Sequence, residues 1–277
     1  MSIDNAFKPV ILKSPQGSVA KICPYGAHLM SWCTAEGIER LFLSERAEFR
    51  QGAAIRGGVP IIFPQFADLG ALPKHGILRT AYWQQVDSSE DQASCSVTFR
   101  WTPDQYSQSL WPYHCSVEYR VELGSECLSL KLSVTNTGNQ DFSFTAALHS
   151  YLRVEDIQNV AVSGLQGLRY RDTALGGSEH VESSRLLTIV GELDRIYMNS
   201  TNPIQIMQPK QRTMECQAEG FTDAVIWNPG SIKSAALADM EPDGFKRMLC
   251  VEAAVIESPM ILRPNAQWIG SQLIRLL

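Results

Sequence analysis

From Cys115 to Asn136 the chain alternates apolar and polar residues through two runs separated by one short turn. In "CSVEYRVEL", Cys115, Val117, Tyr119, Val121 and Leu123 share one side, and Ser116, Glu118, Arg120 and Glu122 share the other. After "GSE", the run "CLSLKLSVTN" repeats the pattern, with Leu128, Leu130, Leu132 and Val134 on the apolar side. Successive side chains of a strand point to opposite faces, so this alternation fits strands with one buried face. It does not fit a helix, whose faces recur about every 3.6 residues. Two such runs around a Gly-containing turn predict an antiparallel hairpin. "CSVTFRW" before it continues the pattern with Cys95, Val97, Phe99 and Trp101.

The same cadence runs on to the end of the sequence. "FSFTAALHSYLRV", "NVAVSGL", "RLLTIVG", "RIYMN", "PIQIMQ", "DAVIWN", "MLCVEAAVI" and "QWIGSQLIRL" are short apolar runs set between turn signals such as "NTGNQD", "NPG" and "EPDG". An all-β antiparallel sandwich or barrel is expected. One short helix is predicted across Ser231 to Met240, with Ser231 as its N-cap. No linker, repeat or low-complexity tract divides the sequence, so residues 1–277 are expected to form one domain.

Hydrophobic residues make up 44% and charged residues 19%, enough apolar material for a large core. The net charge of −5 argues against a general nucleic-acid binder, which needs a broad basic face. Seven cysteines at irregular spacing, without C-x-x-C, suit buried reduced thiols in a cytoplasmic protein rather than a disulfide framework. No secretory signal is visible, and no apolar run approaches the ~20 residues needed to span a bilayer. There is no phosphate-binding G-x-x-x-x-G-K-[ST] loop, no G-x-S-x-G elbow, and no H-E-x-x-H or Cys/His cluster for zinc. What remains is an enzyme without a cofactor, or a binding module.

Four positions carry possible chemistry. "RGGVPIIFPQFADLGALPKHGILR" places Arg56, Lys74, His75 and Arg79 around a Gly- and Pro-rich loop. Its interior is too apolar to lie free in water, and its cations flank that interior, as a site for a small anion such as phosphate would. His149 follows apolar and small residues in a predicted strand that ends at a polar rim; it is either a hydrogen-bonded core histidine or a placed acid/base. Glu252, in "MLCVEAAVI", is costly to bury unless it is functional or pairs a buried arginine. Burial would raise its pKa towards that of a useful general base. Asp223 in "FTDAVIWNPG" suits a turn former, and could also accept hydrogen bonds from sugar hydroxyls. The tryptophans and tyrosines belong mainly to the core, with one or two available to stack on a sugar ring.

"RGGVPIIFPQF", "LPKHGILR", "LHSYLRV", "FTDAVIWNPG" and "CVEAA", in this order, resemble the hexose-6-phosphate mutarotases, the glucose-6-phosphate 1-epimerase branch of the galactose mutarotase-like (aldose 1-epimerase) superfamily. The resemblance implies a large twisted antiparallel β-sandwich with one or two short helices, a site in a concave groove, and no metal or organic cofactor. It places the catalytic histidine at His149 and the catalytic glutamate at Glu252. It puts phosphate-binding arginines at Arg56 and Arg79, a sugar-binding aspartate at Asp223, and a substrate contact at His75. Lys74 stands where the family pattern "LPQHG" has glutamine, adding a third cation, and the "FADLGA" insert is short.

The expected activity is interconversion of the α and β anomers of an aldohexose 6-phosphate by a monomer, an oligomer being left open, with no nucleic-acid or membrane partner. A mutarotase for free aldoses would not need the cation cluster. A non-catalytic sugar-phosphate binder would not need both His149 and Glu252. A glycoside hydrolase would want two carboxylates, and only Glu252 stands out.

Overall fold

The computed structural model describes residues 7–277. The first half contains β1 (Val10–Lys13), β2 (Val19–Cys23), β3 (His28–Cys33), β4 (Ile61–Ile62), β5 (Gln84–Glu90), β6 (Cys95–Trp101), β7 (Cys115–Leu123), β8 (Cys127–Asn136), β9 (Phe142–Leu148) and β10 (Tyr151–Arg153). The second contains β11 (Ala161–Ser163), β12 (Arg169–Asp172), β13 (Ser178–Val181), β14 (Leu187–Thr188), β15 (Leu193–Tyr197), β16 (Ile204–Met207), β17 (Met214–Glu219), β18 (Asp223–Asn228), β19 (Met248–Leu262) and β20 (Gln267–Leu276). They form a nine-stranded sheet ordered β14-β11-β16-β17-β20-β8-β7-β6-β5 and a sheet ordered β13-β12-β15-β18-β19-β9-β4, with β10 also on β19. A three-stranded meander, β1-β2-β3, completes the fold. Strand pairing within the sheets is antiparallel.

The expected hairpin is present with the expected faces. β7 pairs with β8 from Cys115 opposite Asn136 to Leu123 opposite Leu128, and the odd-numbered residues of β7 are buried. Leu128, Leu130, Leu132 and Val134 join Leu249, Val251, Ala253 and Val255 of β19 in the main core between the two large sheets. The other face of β19 is buried too. Met248, Cys250, Ala254 and Ile256 pack with Phe42, Tyr151, Val225, Trp227 and Met240 in a second cluster. A strand covered on both faces has no reason to alternate, which is why "MLCVEAAVI" is apolar throughout except for Glu252.

The segment "FSFTAALHSYLRV" is two strands rather than one. The backbone N–H of His149 donates to Pro60 O (3.0 Å) and that of Tyr151 to Gly58 O (2.9 Å), so the chain breaks step at His149 and resumes as β10. Helix α1 (Gln105–Leu110) opens with a capping box between Asp104 and Ser107. Helix α2 (Gly230–Ala236) begins before the predicted Ser231 cap and ends before Met240. Asn228 Oδ1 accepts from Gly230 N (2.9 Å) at its start. Beyond its end, Asp239 and Glu241 are drawn to Arg56 and Ser44, which a continued helix would not allow.

No disulfide joins the seven cysteines. No described helix is long and apolar enough to cross a membrane.

Candidate active site

Strand register lays out the floor of the site. Across β15, β18 and β19, Ile196 faces Val225 and Val225 faces Glu252; in the next row Asp194 faces Trp227 and Trp227 faces Cys250. Residues two apart share a face, so both rows lie on the side of this sheet turned away from the main core. His149 leaves β9 at the same level, and its Nε2 lies 3.4 Å from Glu252 Oε1. His149 and Glu252, with Asp194, Ile196, Val225 and Trp227, floor a cavity of about 330 Å³ whose wall carries Arg56, Lys74, His75 and Arg79, and Cys250 lies buried beside it.

The imidazole of His149 is clamped by rings. It stacks on Tyr151 at 4.7 Å and 9°, and meets Trp227 and His75 edge-on at 5.8 and 5.7 Å. Burial pushes its pKa well below 6.5, and His75, Arg56 and Arg79 push it the same way. Burial pushes the Glu252 carboxyl well above 4.5, with Asp194 adding to the rise. Glu252 Oε2 and His149 Nδ1 are buried without a protein partner. Burial therefore favours the uncharged form of each, a protonated carboxyl beside a neutral imidazole.

Arg56 is held by two partners. Its Nε and Nη2 lie 3.2 and 3.1 Å from Asp239 Oδ2, and Nη1 donates to the Tyr151 hydroxyl at 3.0 Å. Tyr151 and Asp239 keep its pKa above the ordinary arginine value. The two glycines after it are required by close packing. Gly57 and Gly58 have φ of +103° and +60°, and a Cβ there would lie 2.4 Å from Phe42 O and 2.2 Å from Leu29 O. Arg56 is thus paired with Asp239 and not with Glu252.

Arg79 folds back so that Nη2 donates to Lys74 O (2.7 Å). Burial lowers its pKa. Lys74 is exposed and faces Asp68 at 3.5 Å, at the mouth of the cavity. His75 Nδ1 accepts from Ala67 N (3.2 Å), which leaves the ring proton on Nε2. Burial, with Arg79, Lys74 and Arg56 nearby, lowers its pKa to about 3, so it stays neutral.

Asp223 does not join this group. Its Oδ2 accepts from the backbone N–H of Ile256 (2.8 Å) and of Glu257 (2.9 Å), where the pairing of β9 with β19 slips between Val255 and Met260. Those two N–H groups take up Oδ2, and Asp223 does not line the cavity that holds His149 and Glu252. Asp194 does line it. Burial raises the Asp194 pKa, opposed by the Thr173 hydrogen bond. The signal for Asp194 was present as alternation. In "LDRIY", Asp194 and Ile196 oppose Leu193, Arg195 and Tyr197, but a strand begun at Arg195 leaves Asp194 outside.

A brace from the opposite sheet fixes the spacing of the floor. Ser150 Oγ donates to Gln272 Oε1 (2.6 Å), and Gln272 Nε2 donates to Val251 O (2.9 Å). The residues it holds, Ser150 and Val251, adjoin His149 and Glu252, and Val251 N also donates to Ser150 O at 3.1 Å.

Comparison with known proteins bears on the family and the fold. The sequence pattern of the family described as "Aldose 1-epimerase" matches residues 8–275. A Cenchrus ciliaris protein named "Putative glucose-6-phosphate 1-epimerase" is 33% identical over 276 residues, covering 96% of this chain and 84% of its own. An Escherichia coli K12 protein of the same name is 33% identical over 248 residues, 88% of this chain and 82% of its own. The crystal structure of a Salmonella typhimurium protein described as "a putative mutarotase" superposes with a TM-score of 0.90 at 31% identity, covering 97% of this chain and 90% of that one. With a β-sandwich fold and this match over nearly all its length, the chain belongs to the aldose 1-epimerase family.

Proposed function

We propose that this epimerase interconverts the α and β anomers of an aldohexose 6-phosphate, with glucose 6-phosphate as its substrate, and that residues 1–277 act as one domain. The observation that carries this reading is the placement of Arg56, Lys74 and Arg79 around one cavity whose floor holds His149 and Glu252 3.4 Å apart. The relatives named for glucose 6-phosphate support the substrate.

The phosphate end of the sugar binds Arg56 and Arg79, with Lys74 at the entrance, and Asp194 accepts from sugar hydroxyls. Binding remote from C1 sets the anomeric carbon against the acid/base pair. A phosphate dianion also offsets the two arginines that depress the His149 pKa. A proton can then pass from Glu252 to His149, giving carboxylate and imidazolium. Glu252 takes the proton from the C1 hydroxyl while His149 gives its proton to the ring oxygen, and the C1–O5 bond breaks. The open aldehyde therefore sits beside a protonated Glu252 and a neutral His149, the form that burial favours. Rotation about C1–C2 presents the other carbonyl face. Reclosure returns each proton by the same route.

Magnetisation-transfer NMR with glucose 6-phosphate and glucose side by side tests the proposal. Enhanced anomer exchange of the phosphate ester alone is expected. Equal enhancement of both sugars would remove the phosphate role of the loop. No enhancement, with saturable binding, would make the protein a binder.

A further inference from the structure

We propose that the floor of the site is a zinc trap: His149, Cys250 and Glu252 together bind a Zn²⁺ ion that shuts the enzyme off. One donor atom from each of the three residues lies within 4.8 Å of the donors of the other two. All three side chains are buried. A tetrahedral zinc with bonds of about 2.0–2.3 Å holds its ligand atoms about 3.3–3.8 Å apart. His149 Nε2 and Glu252 Oε1 already stand at 3.4 Å. Contraction of the other separations by about an ångström completes the triangle.

The donor atoms His149 Nε2 and Glu252 Oε1 face each other at 3.4 Å, a contact the metal would replace. Cys250 and Glu252 are two residues apart on β19, so thiol and carboxylate point to the same face. A thiolate, an imidazole and a carboxylate form a mixed donor set that suits Zn²⁺ and disfavours Mg²⁺ or Ca²⁺, which prefer oxygen alone. His149 and Glu252 line the cavity, and three protein ligands leave a fourth position for water. On binding, the Cys250 thiol releases its proton to solvent, and the metal takes lone pairs on His149 and Glu252. The inhibition half of the proposal rests on these two being the acid/base pair; the binding half does not.

Metal binding is therefore read first, without activity. Chelator-treated protein titrated with Co²⁺ should bind one ion per chain, with visible bands of a tetrahedral centre and a near-ultraviolet thiolate-to-cobalt band. Cys250→Ala should lose the thiolate band and weaken Zn²⁺ binding by at least about tenfold. Glu252→Gln and His149→Asn, read by the same spectrum, serve as independent variants. In the exchange assay, Zn²⁺ should inhibit the wild type reversibly and in competition with glucose 6-phosphate. Cys250→Ala, read against its own uninhibited rate, should need at least about tenfold more Zn²⁺. An absent thiolate band, a band that persists in Cys250→Ala, or equal inhibition of both proteins would overturn the trap. A clear cobalt spectrum in a protein without anomerisation would leave the metal site standing and overturn the proposed function and the inhibition alone.

Discussion

Burial acts on His149 and Glu252 in opposite directions, and the pH dependence of stability should record it. In the unfolded chain Glu252 ionises near 4.5 and His149 near 6.5; in the folded protein the first is raised and the second lowered. From 6.5 up to the raised pKa of Glu252 the unfolded chain holds neither proton while the fold keeps that of Glu252, so stability falls as pH rises through this window, by up to about 1.4 kcal/mol per pH unit. Between 4.5 and 6.5 each state holds one proton and the pair contributes no slope. Below 4.5 the unfolded chain holds two and the fold one, so stability falls as pH falls. Denaturant titrations across this range should show the alkaline decline in the wild type and its loss in Glu252→Gln; a decline of equal slope in both would refute the buried protonated carboxyl. Catalytically, His149→Asn and Glu252→Gln should each stay folded and lose ~10²–10⁴-fold in anomer exchange. Arg56→Ala should raise KM for glucose 6-phosphate about tenfold or more, in line with one charged hydrogen bond of about 1.5–3 kcal/mol, and leave free glucose nearly unaffected. A KM rise common to both sugars would mean that Arg56 shapes the cavity instead.

At the scale of elements, the brace from β20 is open to direct test. Gln272→Met removes its bonds to Ser150 and Val251. Stability should fall by about 1–3 kcal/mol. The exchange kcat should fall with it while KM changes little, because the residues released adjoin the reacting pair and not the cations. Gln272→Glu, which keeps an acceptor for Ser150 but sets a buried carboxyl against Val251 O, should lose at least as much. Lost stability with wild-type kcat would reduce Gln272 to a core hydrogen bond. None of this brace is visible in "QWIGSQLIRL", where Gln272 reads as one more polar residue of an alternating strand. What the sequence does show is whatever a single strand decides. β7 and β8 could be drawn residue by residue because each buries one face. The carboxylate of Glu252 stood out because β19 is apolar on both. Features set by two segments meeting were out of reach. The break at His149 depends on Pro60 and Gly58, the end of α2 on Arg56 and Ser44, and the occupation of Asp223 on a slip in the neighbouring strand. Asp194 is within reach of alternation, and a strand begun at Arg195, two residues after Leu193, leaves it out.

For the whole molecule, the eight-stranded sheet works with two sides: one is sealed against the nine-stranded sheet, and the other carries the chemistry. The chain is acidic overall, with a net charge of −5, yet Arg56, Lys74 and Arg79 share one cavity. Raising salt from low to physiological strength shortens the screening length to about 8 Å and should weaken capture of the phosphate ester. KM for glucose 6-phosphate should therefore rise with salt while kcat holds; a KM indifferent to salt would argue against a phosphate held by these cations. The brace has a further consequence in time. His149 is synthesised early, Glu252 late, and Gln272 later still. A chain emerging from the ribosome through Leu262 has both reacting groups but lacks β20, which bridges β8 and β17 and pins the floor from behind. Activity should thus appear as a late step of synthesis, and a nascent chain stalled before β20 should hold the ingredients of the site without a working catalyst.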